Sequence, residues 1–231
     1  MVAVLHVDAA VLAVDKPAGR LVIPGRVAGE PCLRAELTAL HGPLWVVHRL
    51  DRGTSGVLLF ARSAAAHRAL NLAFERGEAE KTYLALVAGL PAEDDWRCVV
   101  PLAPGRKGKV RPAHPGEPAG KAAATAFRVV RRFQARAGQP AAALLEARPE
   151  TGRTHQIRVH LRCAGHPLLV DPDYGEAAPL CDPAGAAVLT RTPLHAARLS
   201  LPHPDGGALT LLAEPPADLA AALALLGSEP G

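Results

Sequence analysis

Short apolar runs closed by Pro and Gly recur along the chain and set its first reading. Val11–Val14 leads into Asp15-Lys16-Pro17-Ala18-Gly19, the pattern of a strand entering a turn, and the N-terminal residues before it read as another short strand. Leu33–Leu40 has helical spacing, and Trp45–Val47 is a short strand leading to His48-Arg49-Leu50-Asp51. Gly56–Ala61 is continuously apolar, as in a strand buried on both faces. Ser63 is placed to cap a helix that carries Leu70, Ala73 and Phe74 on one face and ends near Gly77. Lys81–Ala88 alternates as a strand.

The second half continues in the same way. Pro101–Gly120, rich in Pro, Gly and basic residues, reads as irregular loops or a short hairpin, a candidate basic flap. Thr125–Arg131 and Ala142–Arg148 are predicted strands, joined by a turn at Ala137-Gly138-Gln139-Pro140. Thr154 is placed to cap a helix running to Ala164, with Ile157, Leu161 and Ala164 on one face and His155, Arg158 and Arg162 on another. A loop around Tyr174, strands at Ala197–Leu201 and Ala208–Ala213, and a helix at Ala217–Leu226 follow. Strands dominate without strict alternation with helices. That predicts an α+β fold with a mixed, mainly antiparallel central sheet flanked by helices and loops, in a single domain over 1–231 whose last few residues are disordered.

Composition narrows the function. The 231 residues have a net charge of +4, so a polyanionic partner is compatible but not demanded. Aromatic residues are 3% of the chain, with two tyrosines, Tyr83 and Tyr174, too few for an open stacking platform. Cys32, Cys98, Cys163 and Cys181 lack paired spacing, which disfavours a structural zinc site or a disulfide framework and fits a reducing compartment. No signal peptide or membrane span is indicated, so the expected location is the cytoplasm.

Three segments carry candidate chemistry. In His48-Arg49-Leu50-Asp51-Arg52-Gly53-Thr54-Ser55-Gly56, an Asp lies between two arginines before a buried strand, where nearby positive charge favours its ionised form. Such a carboxylate can act as nucleophile or base, although an ordinary surface ion pair fits the same spacing. Thr151-Gly152-Arg153-Thr154-His155-Gln156-Ile157-Arg158 crowds donors onto a helix start, either an anion site or a solvated basic face. Lys81-Thr82-Tyr83 places a tyrosine in a strand, where packing is the commoner use.

Together these segments resemble the RluA family of RNA pseudouridine synthases, in particular its shorter members without an N-terminal S4 domain. The similarity extends through His166-Pro167-Leu168-Leu169, Tyr174-Gly175 and Leu194-His195-Ala196. It departs where Val170 precedes Asp171, a position at which the family usually has Gly. The resemblance implies the pseudouridine synthase fold and the isomerisation of uridine to pseudouridine in structured RNA. It implies no cofactor and no metal. By the same resemblance Asp51 is the catalytic carboxylate, whether by attack on C1′, addition to the ring or proton abstraction. Arg158 pairs with it, Tyr83 packs on the uracil, and Arg49 helps to expel the nucleotide from its stack. Arg153, His155 and Gln156 are expected to bind RNA, and Arg106, Lys107 and Lys109 to grip phosphates. The expected partner is a ribosomal or transfer RNA stem-loop, not DNA or a membrane, bound by a monomer. An Asp-dependent nucleoside hydrolase, a non-catalytic RNA-binding module and a structural zinc protein are the competing readings.

Overall fold

The computed structural model describes residues 2–25, 29–136 and 138–228. In chain order it contains β1 (Ala3–Val7), β2 (Val11–Lys16), α1 (Leu33–His41), β3 (Trp45–Val46), β4 (Ser55–Ala61), α2 (Ala64–Glu75), β5 (Glu80–Ala88), β6 (Asp95–Cys98) and β7 (Leu102–Pro104). After a 3-10 turn at Arg106–Gly108 come β8 (Val110–Pro112), β9 (Thr125–Phe133), β10 (Ala142–Pro149), α3 (Gln156–Cys163), β11 (Leu180–Cys181), β12 (Ala187–Leu189), β13 (Leu194–Pro202), β14 (Ala208–Leu212) and α4 (Ala217–Gly227). The fold is α+β with mainly antiparallel pairing, as the element pattern predicts. The predicted turn at 137–140 includes Ala137, and the tail expected to be disordered includes residues 229–231; these lie outside the described residues.

The chain forms two compact units, Met1–Lys81 with His195–Glu214, and Thr82–Leu194 with Pro215–Gly231. In the first, β2 lies antiparallel between β1 and β4, in register from Val11 opposite Ala61 to Lys16 opposite Gly56. β13 runs parallel to β4, with His195 opposite Ser55, and β14 closes a hairpin on β13. Every residue of β4 is buried, which explains its unbroken apolar run. Val57, Leu59, Val11, Leu70 and Leu199 share one core. Ser63 caps α2 as predicted, its Oγ accepting from Ala66 N at 3.1 Å.

In the second unit β10 pairs with both β5 and β9, and β6 forms a further antiparallel pair with β9. Ala85, Val87, Leu145, Ile157 and Leu161 pack α3 against these strands. Leu219, Ala222 and Leu226 seat α4 against Leu86, Phe133 and Leu189. The predicted short hairpin within 101–120 is present as β7 and β8.

The start of α3 differs from expectation. The N-cap is His155, in the left-handed region at φ 53°, and no side chain caps the helix. Gln156 braces this turn in place of Thr154. Its Oε1 accepts from Thr151 Oγ1 at 2.7 Å and from Arg153 N at 3.0 Å, while its Nε2 donates to Ala124 O at 2.8 Å and Thr125 Oγ1 at 3.0 Å. Nor is α3 a solvated basic helix: Gln156 to Leu161 are all buried, and Arg158 and His160 are among them. His155 stands outside the helix and Arg162 is exposed, so the expected His155–Arg158–Arg162 face does not form.

Candidate active site

The Asp51 loop is built on the strand that follows it. Asp51 O accepts from Thr54 N at 3.1 Å, closing a turn immediately before β4. The Asp15-Lys16-Pro17-Ala18-Gly19 segment fastens the other side. Gly19 N donates to Arg52 O at 2.7 Å, and Arg52 Nε returns a bond to Gly19 O at 3.1 Å. Lys16 is fully buried, and its ammonium donates to Pro17 O at 3.0 Å and to Arg52 O at 3.2 Å. A buried ammonium requires such acceptors, so the lysine both needs and fixes the loop. The side chain of Arg52, largely exposed, also pairs with Glu30 at 2.8 Å.

The Thr54-Ser55-Gly56 segment also has a mechanical explanation. Gly56 has φ 109°, and a Cβ there would lie 2.2 Å from Ala196 O, so the parallel approach of β13 to β4 admits only glycine. Beside it, Ser55 Oγ lies 3.0 Å from His195 Nδ1, and His195 Nε2 lies 3.0 Å from Ala213 O. A carbonyl can only accept, so Nε2 carries the proton and Ser55 donates to Nδ1. His195 and Ala196 therefore brace the start of β4, directly after the loop.

His48 anchors the incoming side. Its Nε2 accepts from Leu59 N at 2.9 Å, and its ring stacks on Phe74 at 5.2 Å. Burial, assisted by the charge of Lys81, pushes His48 down to about 4, so it is held neutral as an acceptor. Arg49 is exposed, Leu50 is buried and Asp51 is half-buried, so the loop alternates side chains between solvent and core.

The second unit carries the other predicted residues. Arg158 is 6% exposed. Its Nε donates to Asp171 Oδ2 at 2.8 Å and its NH2 to Asp171 Oδ1 at 2.6 Å, a two-pronged fork, and NH2 also reaches Asp173 Oδ2 at 2.9 Å. The guanidinium carbon lies 4.9 Å from the centroid of the Tyr174 ring. Asp171 is itself oriented by N–H groups, since its Oδ1 accepts from Asp173 N at 3.0 Å and Tyr174 N at 3.3 Å. His155 Nδ1 lies 2.8 Å from the Tyr174 hydroxyl.

Tyr83 is half-buried on β5 opposite Ala147 and packs against the core of Ala85, Phe127 and Leu145. Arg153 is exposed, with Nε donating to Ala122 O at 3.2 Å. Gln156 is 3% exposed, and its amide bonds to Thr151, Arg153 N, Ala124 O and Thr125 brace the turn before α3. The structure thus gathers Arg158 and His155 with three residues given no role from sequence: Asp171, Asp173 and Tyr174. Tyr174-Gly175 was visible as a motif. Asp171 carried no local signal, because its role depends on a turn bringing it back to α3. The Val170 departure adjoins this arginine clamp, and Val170 itself is buried in a core.

No group of three or more metal-ligating side chains that includes a cysteine occurs among the described residues. All four cysteines are free thiols. No helix among the described residues is long and apolar enough to cross a membrane.

Comparison with known proteins gives this arrangement a family. The RNA pseudouridylate synthase family matches residues 10–162. Ribosomal large subunit pseudouridine synthase D of Nitrosomonas europaea is 38% identical over 244 residues, covering 98% of this chain and 66% of that protein. Ribosomal large subunit pseudouridine synthase C of Vibrio vulnificus is 36% identical, covering 87% of this chain and 61% of that protein. The chain therefore spans somewhat under two thirds of the length of these two relatives. The dual-specificity RNA pseudouridine synthase RluA of Yersinia pestis is 35% identical over 209 residues, with 88% and 94% covered. Among solved structures, human RNA Pseudouridylate Synthase Domain Containing 4 superposes with a TM-score of 0.76 at 25% identity, covering 97% of this chain and 92% of that one. With Asp51 seated before a glycine-dependent buried strand and Arg158 clamped at the start of α3, the chain belongs to the RNA pseudouridylate synthase family and is of the RluA type.

Proposed function

We propose that this chain is an RNA pseudouridine synthase with Asp51 as its catalytic carboxylate, both units serving one catalytic domain. The N1–C1′ bond of a target uridine breaks, the uracil turns, C5 bonds to C1′, and the C5 proton leaves while N1 gains one. The balance is an isomerisation and needs no oxidant, reductant or co-substrate. Ribosomal RNA or transfer RNA stem-loops are the assigned substrates, acted on by a monomer in the cytoplasm.

The observation that carries this reading is the bracing of the Asp51 loop. A buried ammonium, a two-way bond between Gly19 and Arg52, and a strand whose second residue must be glycine all fix the backbone of the loop that carries one half-buried aspartate. An ordinary surface ion pair needs none of this. Preorganisation of the reacting group is worth large factors in rate, and a displaced carboxylate forfeits them.

Arg158 is assigned to keep the Asp51 carboxylate ionised in the water-excluding complex. Tyr83 is assigned to pack on the uracil while it turns, and Arg49, exposed on the same loop as Asp51, to help expel the nucleotide from its stack. Extrusion costs a few kcal/mol and less in a loop than in a duplex. Arg153 and His155 are assigned to the RNA backbone.

The test is pseudouridine mapping across total RNA from cells with and without the protein. A site lost on deletion should return with the wild-type chain and stay unmodified with Asp51→Ala. A map unchanged by deletion contradicts the proposal.

A further inference from the structure

Two adjacent side chains, Asp173 and Tyr174, face the basic hairpin on one side and Arg158 on the other. Asp173 divides its carboxylate between them. Oδ2 accepts from Arg158 NH2 at 2.9 Å, and Oδ1 meets Lys109 Nζ at 2.9 Å. Tyr174 divides its hydroxyl in the same way. The oxygen accepts from Val110 N at 2.8 Å, which leaves the hydroxyl proton for His155 Nδ1 at 2.8 Å. The Tyr174 ring packs with Leu102, Ala123 and Val159, against which Val110 also rests. Its face meets the Arg158 guanidinium.

The connection is short and stiff. Lys109 ends the Arg106–Gly108 turn, and Val110 opens β8 directly after it. Asp173 and Tyr174 belong to the turn whose Asp171 grips Arg158 by a fork. Displacing the hairpin breaks the Lys109 and Val110 bonds. It leaves Asp173 with Arg158 as its one cation in this network, and it removes a donor from the hydroxyl that orients His155. Lys109 and Asp173 are part-exposed, while Arg158 and Tyr174 are buried, so the coupling runs from a solvated ion pair into a buried hydrogen-bond network.

We propose that Asp173 and Tyr174 are positioning residues that couple the seating of the basic hairpin to the orientation of the Arg158 guanidinium. Lys109 then acts on the chemical step through Asp173, in addition to any phosphate it meets. The proposal rests on the pseudouridine synthase reading, which supplies the step that Arg158 serves.

The test uses the full chain in excess over large-subunit ribosomal RNA or transfer RNA transcripts carrying uridine tritiated at C5, with tritium release followed in single turnover. Asp173→Asn and Lys109→Gln should each lower the rate constant at saturating enzyme about tenfold, with Kd changed less than about threefold. The double variant should be no slower than the slower single one. Asp173→Glu should recover more of the rate than Asp173→Asn. In the free protein, Tyr174→Phe should speed hydrogen exchange at the Val110 amide about tenfold or more without changing that of β9 and β10 amides. The coupling is overturned if Lys109→Gln acts on Kd alone, if the two effects multiply, if Glu and Asn at 173 lose equally, or if Val110 exchange is unchanged. Wild-type protein that releases no tritium from either RNA contradicts the functional reading itself, and the coupling with it.

Discussion

At the scale of single residues, charge and backbone geometry decide more than hydrophobicity does. Arg158 and Asp171 are both buried, and each is paid for by the other. Removing one partner leaves an uncompensated charge in a poorly solvated place, so Arg158→Met should cost about 3–5 kcal/mol of stability as well as activity. Urea unfolding of the variant checks this, and a loss below about 1 kcal/mol would mean that Asp171 finds another partner or takes up water. Gly56 gives a second measure. Gly56→Ala combines φ 109° with a Cβ driven onto the Ala196 carbonyl and should cost more than about 4 kcal/mol. Gly77→Ala, at φ 75° with nothing within 4 Å of the added Cβ, should cost only about 1 kcal/mol. Asp51, Arg49 and Tyr83 drew notice in the sequence as candidates because they sit in dense local motifs. Asp171 and Asp173 were not, because a carboxylate thirteen or fifteen positions after an arginine says nothing about pairing until the turn is known. The bracing by Gln156 was hidden for a related reason: from sequence, an amide beside Arg and His cannot be told from one that closes a turn.

At the scale of elements, the local rules hold where one side chain suffices and fail where several share the work. Ser63 caps α2 as its position predicts, because a single hydroxyl meets a single N–H. The start of α3 is held by Gln156, Thr151 and a left-handed His155, a combination that no capping pattern announces. The β3–β4 pair and the Asp51 loop between them depend on His48 remaining an acceptor for Leu59. Because burial depresses this imidazole to about 4, the native state resists a proton that the unfolded chain accepts at its ordinary 6.5. The contribution is therefore intact above 6.5, declines as pH falls from 6.5 towards 4, and amounts to at most about 3 kcal/mol. An NMR titration of the His48 ring should give an apparent value near 4, whereas titration near 6.5 would contradict the buried-acceptor account.

At the scale of the whole molecule, the count of 26 lysines and arginines exaggerates the free positive surface. Arg20, Arg97, Arg128, Arg132 and Arg148 each face a carboxylate, from Glu36, Glu150, Asp95, Asp94 and Glu146 in turn. RNA affinity should fall with added salt with a shallow slope, corresponding to a few neutralised phosphates rather than about ten. Titration over a range of salt concentrations measures it, and a steep slope would point to a broader basic surface than these pairings leave. The α+β class was legible because strand periodicity and Gly–Pro punctuation are local. The division into two compact units was not, since it depends on His195–Glu214 rejoining the N-terminal strands across more than a hundred residues.

The most direct measurement is the reaction of purified wild-type and Asp51→Ala protein with RNA labelled at uridine C5, scored for both tritium release and free uracil. The account predicts tritium release without uracil from the wild type, and neither from Asp51→Ala although the variant remains folded. Uracil in the wild-type reaction would make the chain a hydrolase. Tritium release that survives the loss of Asp51 would remove the carboxylate from the chemistry altogether.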